Sequence, residues 1–169
     1  WTEGLAEGRP VRFGQIAVKD AKFRTFIADA AARREFYQHV YDVTYGLIEP
    51  GVDTLVVLDD SIVRGNTMKN AILPMLDRLG PKRIIVASSA PPICYPDCYG
   101  IDMSTLGELI AFKALVNLAG EDAIRSADDI RAVYAKYPQA ELSAEIARLI
   151  TPEDMKAKVD VVFQTIDDL

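Results

Sequence analysis

The chain is poor in the side chains that build metal centres and disulfide frameworks. Its only two cysteines, Cys94 and Cys98, sit close together in "CYPDC" with the single histidine, His39, far away, so no four-ligand metal site of familiar spacing can be assembled. Free thiols are the plain reading, with a structural role for His39. Positive charge is also in deficit: a formal net charge of −6 argues against nucleic acid as a partner, because phosphate-backbone binding needs a clustered basic surface. A small anionic ligand stays open where local donors outweigh the overall field. Long apolar runs are missing as well. The longest, around "ELIAFKALVNLAG", carries Lys113 and is too short to cross a bilayer, and no signal-peptide pattern opens the chain, so a cytoplasmic protein with no membrane partner is expected. The first residue is Trp1 and not Met, which reads as a chain processed or cut from something longer.

There is no internal repeat and no low-complexity tract. With 169 residues, 50% of them hydrophobic and 26% charged, the chain has the composition of one folded domain. A domain of this size buries roughly 70% of its extended-chain surface, enough for a core of its own. Alternation in "RPVRFGQIAV" predicts a short strand or hairpin arm, and mixed helical spacing after Phe23 predicts a helix at least from Ala28 to Tyr45, ended by "EPGVD". "TLVVL" is a continuous apolar run of the kind that forms a parallel strand covered on both faces. A helix from about Thr67 to Leu79 follows, bent at Pro74 and stopped at Gly80 and Pro81, and "RIIVASS" is a second buried strand. Strand, helix and strand make a right-handed parallel βαβ unit, which puts the loop after "TLVVL" at the carboxyl edge of the sheet. The proline-rich "APPICYPDCYGIDM" should wrap over that same edge, and Tyr95 and Tyr99 read as packing under it in preference to stacking on a base. Thr105 with Glu108 predicts a capping box for a helix reaching Ala119 and stopped by Gly120. "SADD" and "TPED" predict two further helix starts, the second with Pro152 at its first position. Val159 to Phe163 reads as a final strand leading into a helix start.

The chemistry concentrates in "DDSIVRGNT". Gly65 permits a tight turn, and the amides of residues 61 to 67 can converge at a helix N-terminus, where unpaired N–H groups and the helix dipole favour an anion. Ser61, Asn66 and Thr67 add side-chain donors. Asp59 and Asp60 repel each other and cannot bind a phosphate. They can accept hydrogen bonds from sugar hydroxyls, or reach them through a Mg²⁺ that keeps its waters. Phosphate donors at one end of a loop and hydroxyl acceptors at the other match a ribose 5-phosphate. There are too few glycines for a Walker A or a dinucleotide fingerprint. The bland alternative is that the two acids only end a strand and cap the next helix.

Four apolar residues, two acids and then "SIVRGNT" resemble the phosphoribosylpyrophosphate (PRPP) loop of type I phosphoribosyltransferases. "SAPPICYPDCYGIDMSTLGELIAF", "FRTFI" at Phe23 to Ile27 and "FQTIDDL" narrow the resemblance to the glutamine PRPP amidotransferase family, over roughly residues 10 to 112 and 159 to 169. The resemblance implies an α/β fold with the parallel sheet of the carboxyl-terminal part of the transferase domain. Residues 1–119 would be its core, incomplete on the N-terminal side, 120–158 a helical insertion, and 159–169 the last strand and a helix start. It implies that Asp59 and Asp60 bind Mg²⁺ and the ribose hydroxyls, and that Ser61, Ile62, Val63, Arg64, Gly65, Asn66 and Thr67 hold the 5-phosphate. Arg24, the one catalytic candidate, and Lys19 would close over the pyrophosphate, although Arg24, Arg33 and Arg34 are most simply read as a solvated helix face. The implied activity is glycosyl transfer making 5-phosphoribosylamine in purine synthesis, with PRPP and nucleotides as small-molecule partners and room for a homo-oligomer.

The chain departs from the family pattern at Asn66, where the family has Thr. Members with an iron–sulfur cluster use four cysteines, so none is expected here. The glutaminase domain and the pyrophosphate loop are not in this sequence, and the chain is expected to be inactive alone. A non-catalytic module that senses PRPP or a nucleotide on the same fold is the competing reading.

Overall fold

A computed structural model describes residues 14, 17–19, 41–43, 46–97 and 105–165, divided between two units, Trp1–Ile48 and Glu49–Leu169. In the first unit β1 (Ala17–Lys19) pairs antiparallel with β2 (Tyr41–Val43), Ala17 opposite Val43. The second strand corrects the helix expected to reach Tyr45. Tyr41 and Val43 are aromatic and β-branched residues at a spacing of two, which suits a pleated strand better than the helix face assigned to them. Residues 28–40 of that expected helix lie outside the described residues.

The second unit is built on a parallel sheet in the order β3-β4-β5, with β3 at Thr54–Asp59, β4 at Arg83–Ser88 and β5 at Lys158–Phe163. The α/β class, the two strands of the βαβ unit and the final strand are as the sequence reads. One face of the sheet carries Leu55, Ile84, Val86, Val161 and Phe163 into the core, where Leu115, Ile146 and Ile150 are fully buried. On the other face Val56 is 62% and Leu58 79% exposed, and no described element covers that face, where the sequence predicts cover on both.

The helical run after β3 begins at Asn66, passes through a π-helical turn at Met68–Ile72 and continues as α1 (Leu73–Asp77). The Leu73 amide donates to the Met68 carbonyl five residues back. Pro74, which has no N–H to give, falls just after this widened turn and near the start of α1, where a missing donor costs least. Gly80 follows with φ +71 and ends the run.

Two of the predicted caps fail and one holds. Thr105 gives only its carbonyl to the Glu108 amide (3.0 Å) in the 3₁₀ turn Leu106–Glu108, and α2 (Ile110–Ala119) starts beyond it with no side-chain cap. The Glu108 carboxylate is drawn instead to Arg64. α2 stops at Gly120, φ +90. "SADD" behaves as predicted: Ser126 caps α3 (Ala127–Lys136), its Oγ accepting from the Asp129 amide at 3.2 Å. Asp129 Oδ2 returns the interaction by accepting from Ser126 Oγ and the Arg125 amide, both at 2.9 Å. Ser126→Ala is expected to lower the unfolding free energy by about 1 kcal/mol in urea titrations. "TPED" starts no helix. Thr151 ends α4 (Gln139–Ile150), its amide (3.0 Å) and hydroxyl (2.6 Å) both donating to the Ala147 carbonyl, and Pro152 prevents continuation. The Asp77 carboxylate then accepts from the amides of Lys156 (3.2 Å) and Ala157 (2.8 Å), which steers the chain into β5.

Acid should loosen this unit in a defined window. The Arg125 and Ser126 donors hold the Asp129 carboxyl below its ordinary value of 3.8, Arg148 does the same for Glu145 (ordinarily 4.5), and Arg83 for Asp160 (3.8). Depressed carboxyls contribute stability that is complete above the unfolded pKa and lost as pH falls through the folded one. Urea midpoints are therefore expected to hold above about pH 5 and to drop towards about pH 3.

Candidate phosphoribosyl site

The site grows from the carboxyl end of β3. Asp59 lies opposite Ser88 in the register, and the strand ends where Ser89 and Ala90 donate their amides to the carbonyls of Asp59 and Asp60, each at 3.0 Å. The Ser89 hydroxyl adds a bond to the Asp60 carbonyl at 3.2 Å. Their backbones are thus stitched to the segment after β4, which fixes where the two carboxylates start. Asp59 is half-buried and Asp60 exposed. Burial pushes the Asp59 carboxyl above its ordinary 3.8, opposed by the Asp60 amide donating to its Oδ1 (3.0 Å) and aided by the neighbouring Asp60 charge.

The loop proper turns on Gly65, whose φ of +73 is a left-handed conformation that L side chains adopt at a cost. Ile62 is 3% exposed and anchors the loop in the core, so it can meet a ligand only through its backbone. The Val63 carbonyl accepts from the Ile110 amide at 2.8 Å, tying the loop to the start of α2. Arg64 Nε stands 2.7 Å from Glu108 Oε2 without its N–H aligned for a hydrogen bond, so the two form an ion pair and the guanidinium is held by protein. The side chains of Asn66 and Thr67 are exposed at the start of the helical run. Among the described residues, no amide from 61 to 67 donates to a protein acceptor, so the N-terminal donors remain available to a ligand.

Asp59, Asp60 and the residues from Ser61 to Thr67 therefore come together on one edge of the second unit. Lys19 lies in β1 of the first unit with its side chain outside the described residues, and Arg24, "FRTFI", Tyr99, Cys98 and "YGIDM" lie outside them altogether. Cys94 is a free, buried thiol, pushed up to about 12 by that burial, which makes it a poor nucleophile. Tyr95 is 42% exposed and its hydroxyl donates to the Ala127 carbonyl at 3.3 Å, so it reaches α3 rather than lying under its loop. Two acids side by side fit a Mg²⁺ that keeps its waters and shares ligand oxygens, not a protein-only cage. Among the described residues no group of three or more His, Cys, Asp or Glu converges. Sequence reasoning overlooked the supports of the loop, Lys69, Ile110 and Ile150, and misassigned Glu108.

A parallel α/β sheet whose strand ends in paired acids, followed by a glycine turn into a helix, defines a phosphoribosyltransferase-type fold. A solved structure described as the allosteric regulatory enzyme of purine biosynthesis matches 98% of this chain with a TM-score of 0.54 and 31% identity, the match covering 28% of that chain. The chain is related to the amidophosphoribosyltransferases. It is 43% identical to that of Staphylococcus epidermidis over 110 residues (64% of this chain, 22% of that protein) and 40% identical to that of Bacillus subtilis over 107 residues (63% and 22%). The enzyme of Pseudomonas aeruginosa is 37% identical over 110 residues, 63% of this chain and 21% of its own. The chain thus spans about a fifth of the length of these relatives, and no family model matches it. Among the described residues no helix is long and apolar enough to cross a membrane.

Proposed function

We propose that the 59–67 segment binds the 5-phosphoribosyl group of PRPP or of a nucleotide, as part of an amidophosphoribosyltransferase that makes 5-phosphoribosylamine for purine synthesis in the cytoplasm. The observation that carries this reading is the turn at Gly65 (φ +73), which opens a helical run directly after two adjacent acids. On this reading the amides of Ser61 to Thr67 and the Asn66 and Thr67 side chains hold the phosphate, while Asp60 and Asp59 accept from the ribose hydroxyls. A Mg²⁺ bound beside them supplies charge neutralisation for the pyrophosphate leaving group. Lys19 and Arg24 are proposed as pyrophosphate contacts on the resemblance of "FRTFI" to the family's loop alone, with Arg24 the residue that would act on the reacting end. Residues 120–158 are proposed as an insertion relative to the family length, one whose helix α4 packs Ile146 and Ile150 into the core of the second unit.

Calorimetry tests the reading. Ribose 5-phosphate is expected to bind the 169-residue chain, and ribose without its phosphate is expected not to. PRPP should bind more tightly with Mg²⁺ than with EDTA. No heat with ribose 5-phosphate, or equal binding of ribose, would contradict it.

A further inference from the structure

The phosphate loop does not stand on its own sequence. A Cβ built on Gly65 would lie 2.7 Å from Ile150 Cγ2 and 3.5 Å from Ile110 Cγ1, so the loop backbone is seated directly on the last residue of α4 and the first of α2. Ile150 is 0% and Ile110 6% exposed, and neither has room to move aside in a close-packed interior. Lys69, whose amide donates to the Gly65 carbonyl at 2.9 Å, extends its Nζ to the Leu149 carbonyl at 3.0 Å. The same residue therefore ties the far side of the glycine turn to the end of α4.

We propose that the carboxyl-terminal turn of α4 is the seat of the phosphate loop, with Ile150 and Lys69 as positioning residues for the ligand-binding amides. The inference rests on the phosphate reading of residues 61–67 and extends it to a helix that the motif does not include. Two physical effects act together. Contact with Ile150 holds the glycine turn in the one backbone shape that aims its amides inwards, which removes an ordering cost from ligand binding. The carbonyl end of a helix also carries about half a negative charge, and an ammonium on the Leu149 carbonyl offsets it where a phosphate dianion would otherwise be repelled.

The test compares Ile150→Ala and Lys69→Met with Ile130→Ala, a truncation of another buried isoleucine (3% exposed) that lies in α3. Two readouts are taken on the whole chain: backbone ¹⁵N order parameters at residues 61–67 without ligand, and affinity for ribose 5-phosphate. Ile150→Ala is expected to lower the order parameters at 61–67 and weaken the ligand by about tenfold or more, while Ile130→Ala leaves the order parameters unchanged and the affinity within about twofold as it lowers stability. Lys69→Met changes an exposed side chain, so it should fold, and is expected to weaken the ligand by about threefold to tenfold. Unchanged loop order parameters and affinity in Lys69→Met, or equal effects of Ile150→Ala and Ile130→Ala, would overturn the seat. Absence of ribose 5-phosphate binding by the unaltered chain would overturn the phosphate reading instead, whatever the order parameters.

Discussion

Gly65→Val is expected to abolish ribose 5-phosphate binding and to lower the unfolding free energy by about 2–5 kcal/mol. Two independent costs add. A side chain at φ +73 adopts a left-handed conformation, worth about 1–2 kcal/mol. The new Cβ meets Ile150 Cγ2 at 2.7 Å, and overpacking of a filled core typically costs about 1–3 kcal/mol. Ile150 is branched at its own Cβ and fully buried, so it cannot swing clear as a long flexible side chain would. Gly65→Ala should show the same two losses, with a smaller drop in stability. Urea unfolding and calorimetry of both variants check this, and either one binding normally with an unchanged midpoint would mean that the turn is not what shapes the site.

The second large effect belongs to the acids. The double change Asp59→Asn and Asp60→Asn is expected to weaken Mg²⁺-dependent PRPP binding by at least about 100-fold while sparing inorganic phosphate. Hydrogen bonds to a charged partner are worth about 1.5–3 kcal/mol each, and two of them exceed the roughly 2.7 kcal/mol of a hundredfold change. On the proposed reading, phosphate alone would occupy the amide end of the loop and would not touch the carboxylates. Asp59→Asn by itself carries an opposite signature in stability. Burial raises the Asp59 carboxyl above 3.8, so its ionised form is penalised in the fold, and the stability it contributes when protonated is lost as pH rises through that raised value. Asparagine keeps an oxygen for the Asp60 amide and drops the charge, so the variant should melt higher at pH 7 and bind worse. Equal loss of phosphate and PRPP in the double variant would make the acids structural.

The strand, acids, glycine turn and helix were legible because each is a local signal. A continuous apolar run marks a strand, Gly65 and Gly80 mark turns, and Ser126 three residues before Asp129 marks a cap. β2 was not legible, since three residues carry too short a pattern to outweigh the helical spacing that runs on from Phe23. Glu108 had two partners open to it. Local spacing favoured Thr105, and the fold supplied Arg64. The exposed face of β3 shows the limit of a pattern: Val56 and Leu58 state that cover is needed and say nothing of what provides it. The seat of the loop was out of reach for a different reason. Lys69 and Leu149 are 80 positions apart, and no periodicity or motif links an isoleucine at the end of one helix to a glycine at the start of another.

The most direct measurement is a titration of the ¹⁵N-labelled chain with ribose 5-phosphate, following every backbone amide. The expected result is saturable shifts that are largest at Ser61 to Thr67, with smaller ones at Asp59 and Asp60, abolished in Gly65→Val. Saturable shifts elsewhere with residues 61–67 unmoved would contradict a phosphate cradle in this loop.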